Sequence, residues 1–446
     1  MARRAPCRIL QPAFDECGYR ADRRCGDTRS IPLTLKATTS LSDARAFLGD
    51  APVMSKRRVA EAESARETGQ LRVAIVHYWL VSMRGGEKVV EELCRMFPQA
   101  DIFTLVCNRD RISDFLKTRN IRTSFLQKIP GAQRHYTKML PLMPFALEQF
   151  DLQDYDLVLS SESGPAKGII TRADALHVCY CHSPMRYIWD QFHVYRHGLP
   201  WIGRALMSIT APMLRAWDVT TASRVDTFIA NSDYVASRIR RFYDRESVVI
   251  HPPVATDDFA VGKGKGEFYL YAGQLTTYKR PDIAVRACTE AGRKLVVIGE
   301  GEQLPYLKSI AGPTVQFLGH QPFNVLRDHL SRCRALLFPG TEDFGILPVE
   351  AMASGRPVLA FDAGGARETV SSPQVGFRFA EQTTEALLET MAAFEEVEDD
   401  VDPHAIRAHA LKFSSAVFRD RLANLIEQEL SSRGDRSAEV FRKRPG

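Results

Sequence analysis

From Leu71 onward, short runs of consecutive apolar residues alternate with stretches whose apolar positions recur every three or four residues. The first kind predicts strands buried on both faces, the second amphipathic helices. Strands are predicted at 71–80 (LRVAIVHYWL), 101–106, 156–160, 177–181, 226–230 and 248–250. A helix is predicted over 85–97, and Ser232 is placed to cap another after the strand at 226–230. Pro252 and Pro253 then break the pattern and mark a junction between domains. Beyond them the alternation restarts, with strands at 268–272, 294–298, 315–318, 335–338 and 358–360. Helices are predicted between these at 281–291, 302–310, 322–332 and 346–354, with a last amphipathic helix at 413–430. Repeated βα alternation predicts an α/β chain with parallel sheets covered by helices on both faces. Two such blocks predict two Rossmann-like domains, 71–252 and 253–410, facing a central cleft, followed by a terminal helix within 411–430.

The ends lack this pattern. Residues 1–70 are rich in Arg, Ser, Thr and Ala and are expected to be a disordered or over-extended tail, with Met54 a candidate true start. Residues 431–446 are expected to be loose. A chain of 446 residues with 45% hydrophobic and 25% charged side chains is ordinary for a globular protein of two domains. No run of eighteen apolar residues predicts a spanning helix, and MARRAPCRIL lacks the apolar centre of a signal peptide. The nine cysteines are scattered. Cys179 and Cys181 alternate along one strand and are expected to be buried, reduced thiols, since no second pair at ligand spacing accompanies them.

Charge divides the chain. Residues 73–250 hold 22 Lys and Arg against 18 Asp and Glu, or +4, whereas 251–446 hold 23 against 27, or −4. Within the positive part, Phe115–Leu147 carries Lys117, Arg119, Arg122, Lys128, Arg134 and Lys138 and no acid at all. An anionic partner is therefore expected on the first half, and an anionic membrane surface fits that interleaving of cations with apolar residues.

The candidate chemistry lies in loops that follow strands. In TEDFGILPVE (341–350), Glu342 and Glu350 flank Phe344, Gly345 and Ile346, at the start of a predicted helix whose free amides would meet an anion. Gly85 and Gly86 in SMRGGEK sit between the first strand and its helix, where the backbone can approach a ligand. His182 ends a strand and opens the loop HSPMRYIWD. Lys279 and Arg280 precede Pro281 in YAGQLTTYKRPDIAVRA, which suits a first helical turn with cations beside a strand end.

Taken together, these motifs resemble glycosyltransferase family 4 over about residues 71–430. The resemblance implies the GT-B architecture and transfer of a hexose from a nucleotide sugar with retention of configuration. It implies that Glu342 and His182 are catalytic, with Glu342 against the donor sugar and Glu350 on the nucleotide ribose. It assigns Gly85, Gly86, Gln274, Lys279, Arg280, Phe344, Gly345 and Ile346 to substrate binding. Gln274 stands where the family has an arginine, which Arg280 would replace. No metal and no other cofactor is expected, because a lysine and helix amides can neutralise the leaving diphosphate.

The HSPMRYIWD loop is similar to that of bacterial mannosyl- and rhamnosyltransferases that build O-antigen and exopolysaccharide. This implies GDP-mannose or a related GDP-deoxyhexose as donor, a UDP-hexose being the alternative, and a lipid-linked saccharide as acceptor. The expected location is the inner face of the cytoplasmic membrane, held peripherally, with no nucleic acid as partner. Hydrolysis is not expected. Retaining glycosidases hold two carboxyls about 5–5.5 Å apart, whereas eight helical residues separate Cα atoms by roughly 12 Å. A sugar-nucleotide epimerase, a phosphorylase-like enzyme or a non-catalytic relative are the remaining readings.

Overall fold

The computed structural model describes residues 71–433. The expectations for 1–70 and for 434–446 lie outside the described residues. Two all-parallel sheets organise the rest. The first runs in the order β3-β2-β1-β4-β5-β6-β7. Its strands are β1 Val73–His77, β2 Asp101–Thr104, β3 Ile121–Thr123, β4 Leu157–Glu162, β5 Leu176–Cys181, β6 Thr227–Ala230 and β7 Ser247–Val249. The second runs β10-β9-β8-β11-β12-β13. It comprises β8 Phe268–Ala272, β9 Leu295–Ile298, β10 Val315–Gly319, β11 Cys333–Phe338, β12 Val358–Phe361 and β13 Gly376–Phe379.

Helices flank both sheets. In the first half they are α1 Gly85–Met96, α2 Asp114–Lys117, α3 Ala132–His135, α4 Met143–Glu148, α5 Phe192–His197, α6 Trp201–Ala222 and α7 Asp233–Tyr243. In the second they are α8 Pro281–Glu290, α9 Leu304–Ile310, α10 Phe323–Arg332, α11 Ile346–Ala353, α12 Ala366–Thr369, α13 Thr384–Val397, α14 Pro403–Ala410 and α15 Ser415–Ser432.

The eleven expected strands are all present, and β3 and β13 are additional. Both additions are edge strands of three or four residues, IRT and GFRF, with mixed burial. Half-exposed strands this short leave little apolar signal. The central strands, by contrast, are buried at every residue, as in VAIVH of β1 and FYLYA of β8. Ser232 caps α7 as expected, its Oγ accepting from the Val235 N–H at 3.1 Å.

The last helix does not stay with the second sheet. Phe418, Leu422, Ile426 and Leu430 of α15 share one apolar core with Val73, Ile75, Leu93 and Leu159 of the first. The chain therefore passes between the sheets twice, near 250–254 and 413–415. The two passages are tied together, Val254 N–H donating to Phe413 O at 3.0 Å and Ser415 N–H to Val254 O at 3.1 Å.

Both sheets share the order 3-2-1-4-5-6 counted within each block. Connections reverse direction between β1 and β4 in the first, and between β8 and β11 in the second. Helices leave to opposite faces at such a point, and a crevice opens beyond the carboxyl ends of the two strands. The candidate residues gather at these two places.

Candidate active site

At the reversal point of the second sheet, β8 ends in Ala272 and the chain turns through Thr277–Lys279 into α8, while β11 ends in Phe338 and leads to Glu342. Lys279 Nζ lies 2.5 Å from Glu342 Oε1. The contact depends on Gly340, because a Cβ there would come within 2.8 Å of Lys279 Cα. Burial works against the charge of Lys279, but the Glu342 carboxylate outweighs it and raises the ammonium pKa. Lys279 thus stays a cation in a largely buried setting. Beside it, Gly345 (φ 88°) turns the chain into α11, whose first amides begin at Ile346.

The reversal point of the first sheet is built from hydrogen-bonded polar groups. His77 ends β1, Ser161 lies near the end of β4, and His182 follows β5. Ser161 Oγ joins the two rings, 3.0 Å from His77 Nδ1 and 2.9 Å from His182 Nε2. Burial, and then the neighbouring His77, push the His182 pKa down to about 3, so its ring is neutral at physiological pH. Gly86 of α1 lies over these groups, where a Cβ would stand 3.0 Å from Tyr78 Oη and 3.5 Å from His182 Nε2. Glu87 accepts from the Arg84 N–H at 2.9 Å and closes the first turn of α1.

These two places meet. A Cβ on Gly85 would come within 2.8 Å of Ile346 Cδ1, so the starts of α1 and α11 nearly touch. One turn further along each helix, Lys88 Nζ reaches Glu350 Oε1 at 3.1 Å, and Glu350 is buried. The HSPMRYIWD loop meets the TEDFG loop directly. Arg186 ion-pairs with Asp343, and Arg238 Nη1 reaches the same carboxylate at 3.1 Å and Ser183 Oγ at 2.8 Å. Ser232 Oγ donates to the Asp343 carbonyl at 2.5 Å. Glu368 lies at the start of α7, accepting from the Asp233 N–H at 3.0 Å and contacting His251 Nε2 at 3.0 Å. A cavity of about 260 Å3 opens between these loops, lined among others by Arg186, Gln191, Tyr234, Tyr278 and Arg280.

Comparison with known proteins bears on the two domains that carry these loops. Residues 83–258 match the profile described as Glycosyltransferase Family 4, and residues 254–411 that described as Glycosyl transferases group 1. The two profiles follow the two sheets in turn, and the chain has the GT-B fold of two Rossmann-like domains. The D-inositol 3-phosphate glycosyltransferase of Streptomyces avermitilis is 27% identical over 195 residues, covering 36% of this chain and 42% of that relative. The alpha-1,3/1,6-mannosyltransferase ALG2 of Candida glabrata is 27% identical over 251 residues, covering 44% of this chain and 52% of its own length. The chain thus spans about half, or less, of the length of the curated relatives it matches. Among solved structures, Anabaena HepE in complex with UDP superposes with a TM-score of 0.59 at 15% identity, over 80% of this chain and 100% of that one. A likeness at that identity bears on the GT-B fold alone.

Within these glycosyltransferase domains, Gly85, Gly86, His182, Lys279, Glu342, Gly345, Ile346 and Glu350 come together at the two facing reversal points. Three expected residues are placed otherwise. Phe344 is core: it is 3% exposed and stacks on His251 with ring centroids 5.3 Å apart, so only its backbone can meet a ligand. Arg280 is drawn back, both of its contacts to Asp282 being 3.0 Å, and does not double the charge of Lys279 although it lines the cavity. Gln274 is exposed, its carbonyl accepting from the Thr276 N–H at 3.0 Å.

Other residues at the crevice were not singled out from sequence: His77, Lys88, Ser161, Arg238 and Asp343. Only His77 carried a usable signal, as a histidine at the end of an otherwise apolar strand. Cys179 and Cys181 are free and buried, and burial holds both thiols well above their usual pKa. Among the described residues no cluster of three His, Cys, Asp or Glu side chains is arranged to hold a metal ion.

Proposed function

We propose that this chain is a retaining glycosyltransferase that moves a hexose from a nucleotide-sugar donor to a saccharide acceptor carried on a lipid. The observation that carries the reading is the Lys279–Glu342 pair, set beside the start of α11 and facing His182 across the crevice. A diphosphate would lie against Lys279 and the amides of Gly345 and Ile346, which hold its charge as the bond to the sugar breaks. Glu342 would hold the donor sugar near its anomeric carbon. The acceptor hydroxyl oxygen forms the new bond to that carbon on the face the diphosphate leaves, and its proton passes to the departing phosphate oxygen. His182, neutral and fixed by Ser161, would accept or donate a hydrogen bond to a sugar hydroxyl.

GDP-mannose or a related GDP-deoxyhexose is the proposed donor, supported by the likeness of the HSPMRYIWD loop and by the mannosyltransferase among the relatives. The relatives name other sugars as well, and no residue here distinguishes guanine from uracil. A UDP-hexose is therefore the second reading. The proposed setting is the synthesis of a bacterial surface polysaccharide at the cytoplasmic face of the membrane. No helix among the described residues is long and apolar enough to cross a bilayer.

Product anomericity by NMR tests the reaction: retention is expected, and an inverted linkage would overturn it. Thermal-shift titration with GDP, UDP and ADP tests the donor. A preference for GDP is expected, and a preference for UDP would replace the first donor reading by the second.

A further inference from the structure

The six cations of 115–147 do not form one free surface. Lys117 pairs with Asp114 at 2.8 Å and Arg122 with Asp101 at 2.5 Å, while Arg119 lies over the Phe115 ring at 4.3 Å. Lys128, Arg134 and Lys138 have no carboxylate partner among the described residues.

A second acid-free stretch adjoins them. Residues 191–217 contain Arg196, Arg204, Arg215, His193 and His197 but no Asp or Glu, and they form α5 and most of α6. The two stretches touch: Leu140 packs with Met185, Ala211 and Leu214 in one apolar cluster. At its carboxyl end α6 is anchored firmly. Asp218 is fully buried against Lys167, which also lies 3.2 Å from Glu162, and it accepts from Trp189 Nε1 at 2.8 Å.

The amino-terminal half of α6 behaves differently. Trp201, Ile202, Leu206, Ile209 and Met213 recur at helical spacing and are 53–76% exposed, and Val194 of α5 adds 67%. Side chains of this size seldom line one helix face in open water, and a contiguous row of them marks a contact surface. The tryptophan stands at the helix start, and arginines interleave with the row. Arg196 and Arg204 have no carboxylate partner among the described residues.

We propose that α5 and the first half of α6 dock the protein on an anionic bilayer, their apolar row entering the headgroup boundary and their arginines meeting lipid phosphates. Charge selects this occupant, because a stretch of 27 residues without one acid suits a surface of opposite sign. The proposal rests on the lipid-borne acceptor of the preceding section and replaces 115–147 as the principal contact. Gln191, which precedes α5, also lines the cavity beside Arg186 and Asp343, so a docked α5 would hold that cavity at the membrane.

The test is co-sedimentation of the full chain with vesicles of phosphatidylcholine alone and of phosphatidylcholine mixed equally with phosphatidylglycerol. Binding to the mixed vesicles is expected, weakened by salt. Ile202→Glu/Ile209→Glu should lower it about a hundredfold without changing the melting temperature or the thermal shift with GDP or UDP. Ile202→Ser/Ile209→Ser, which adds no charge, should lower it in the same direction. Undiminished binding by both double variants overturns the docking element, and its loss in Lys128→Glu/Arg134→Glu/Lys138→Glu instead would return the contact to 115–147. Failure of the wild type to bind either vesicle overturns the membrane reading with it, while the nucleotide shift still tests the transferase. A dimer in light scattering that the Ile202/Ile209 variants convert to monomer would mean that a second copy covers the face, and would overturn the proposal.

Discussion

The two sheets of this chain share the order 3-2-1-4-5-6, with β7 added to the first, and differ in chemistry at the same topological point. Between β1 and β4 the side chains form a hydrogen-bonded chain, His77 and His182 joined through Ser161 Oγ, with His182 held uncharged by burial. Between β8 and β11 they are charged, with Lys279 against Glu342 and the amides of α11 alongside. Strand order places a crevice at each point, and the residues that happen to stand there decide what the crevice can take. A hydrogen-bonding wall suits sugar hydroxyls. A cation with helix amides suits a diphosphate. The difference between the two halves is the division of labour that the proposed transfer requires.

The largest effect should come from the charged point. Glu342→Ala is expected to lower transfer about a thousandfold in a protein that still folds, with some loss of melting temperature because Lys279 loses the carboxylate that offsets its burial. Activity at the wild-type level would remove Glu342 from the site. Next comes the bridge between the points. Asp343→Ala leaves Arg186 and the buried Arg238 without their shared carboxylate, and urea unfolding should show a loss of about 3 kcal/mol. An unchanged midpoint would mean that the two loops do not depend on this contact.

Protonation of the first sheet should be felt in acid. His177 is fully buried; burial pushes its pKa down to about 4, which the hydrogen bond to the Arg224 carbonyl only partly offsets. Its folded pKa is below its unfolded value, so its contribution is present above about pH 6.5 and is lost as pH falls toward 4. The full loss is on the order of 3 kcal/mol. Burial pushes Glu162 the other way, to about 7, so its contribution is lost as pH rises through that value. The comparison that isolates the histidine is wild type against His177→Gln, in which Glu162 is common. The stability difference between the two should shrink from pH 6.5 to pH 4, and a constant difference would contradict it. The smallest effect is expected at the hydrogen-bonded point of the first sheet. Ser161→Ala frees both rings, and kcat should fall about tenfold with donor KM unchanged; a change confined to donor KM would place Ser161 with the nucleotide instead.

Much of this was legible beforehand. Buried parallel strands announce themselves as unbroken apolar runs, so β1 and β8 stood out, whereas IRT of β3 and GFRF of β13 did not. Helix α6 escaped for a related reason. Its first half turns apolar side chains to solvent and its second half to the core, and Gly203 and Pro212 interrupt it, so no single apolar stripe runs its length. Glu342, Lys279 and His182 were visible because each stands in a loop directly after a strand. Asp343 was hidden beside Glu342, because nothing local distinguishes two adjacent carboxylates; their partners lie on different elements.

The sequence alone determined the alternation of strands and helices, the two-block division and the loops that carry charge. These follow from local periodicity and from where Gly and Pro interrupt it. Only the tertiary structure decided that α15 returns to the first sheet, that Arg280 turns to Asp282 while Lys279 turns to Glu342, and that Phe344 is core. It alone joined His77, Ser161 and His182. Each of these depends on which groups approach across distances of up to hundreds of residues, and on how burial there sets their charge. A linear pattern carries the tendency of each residue but not the identity of its neighbours in space.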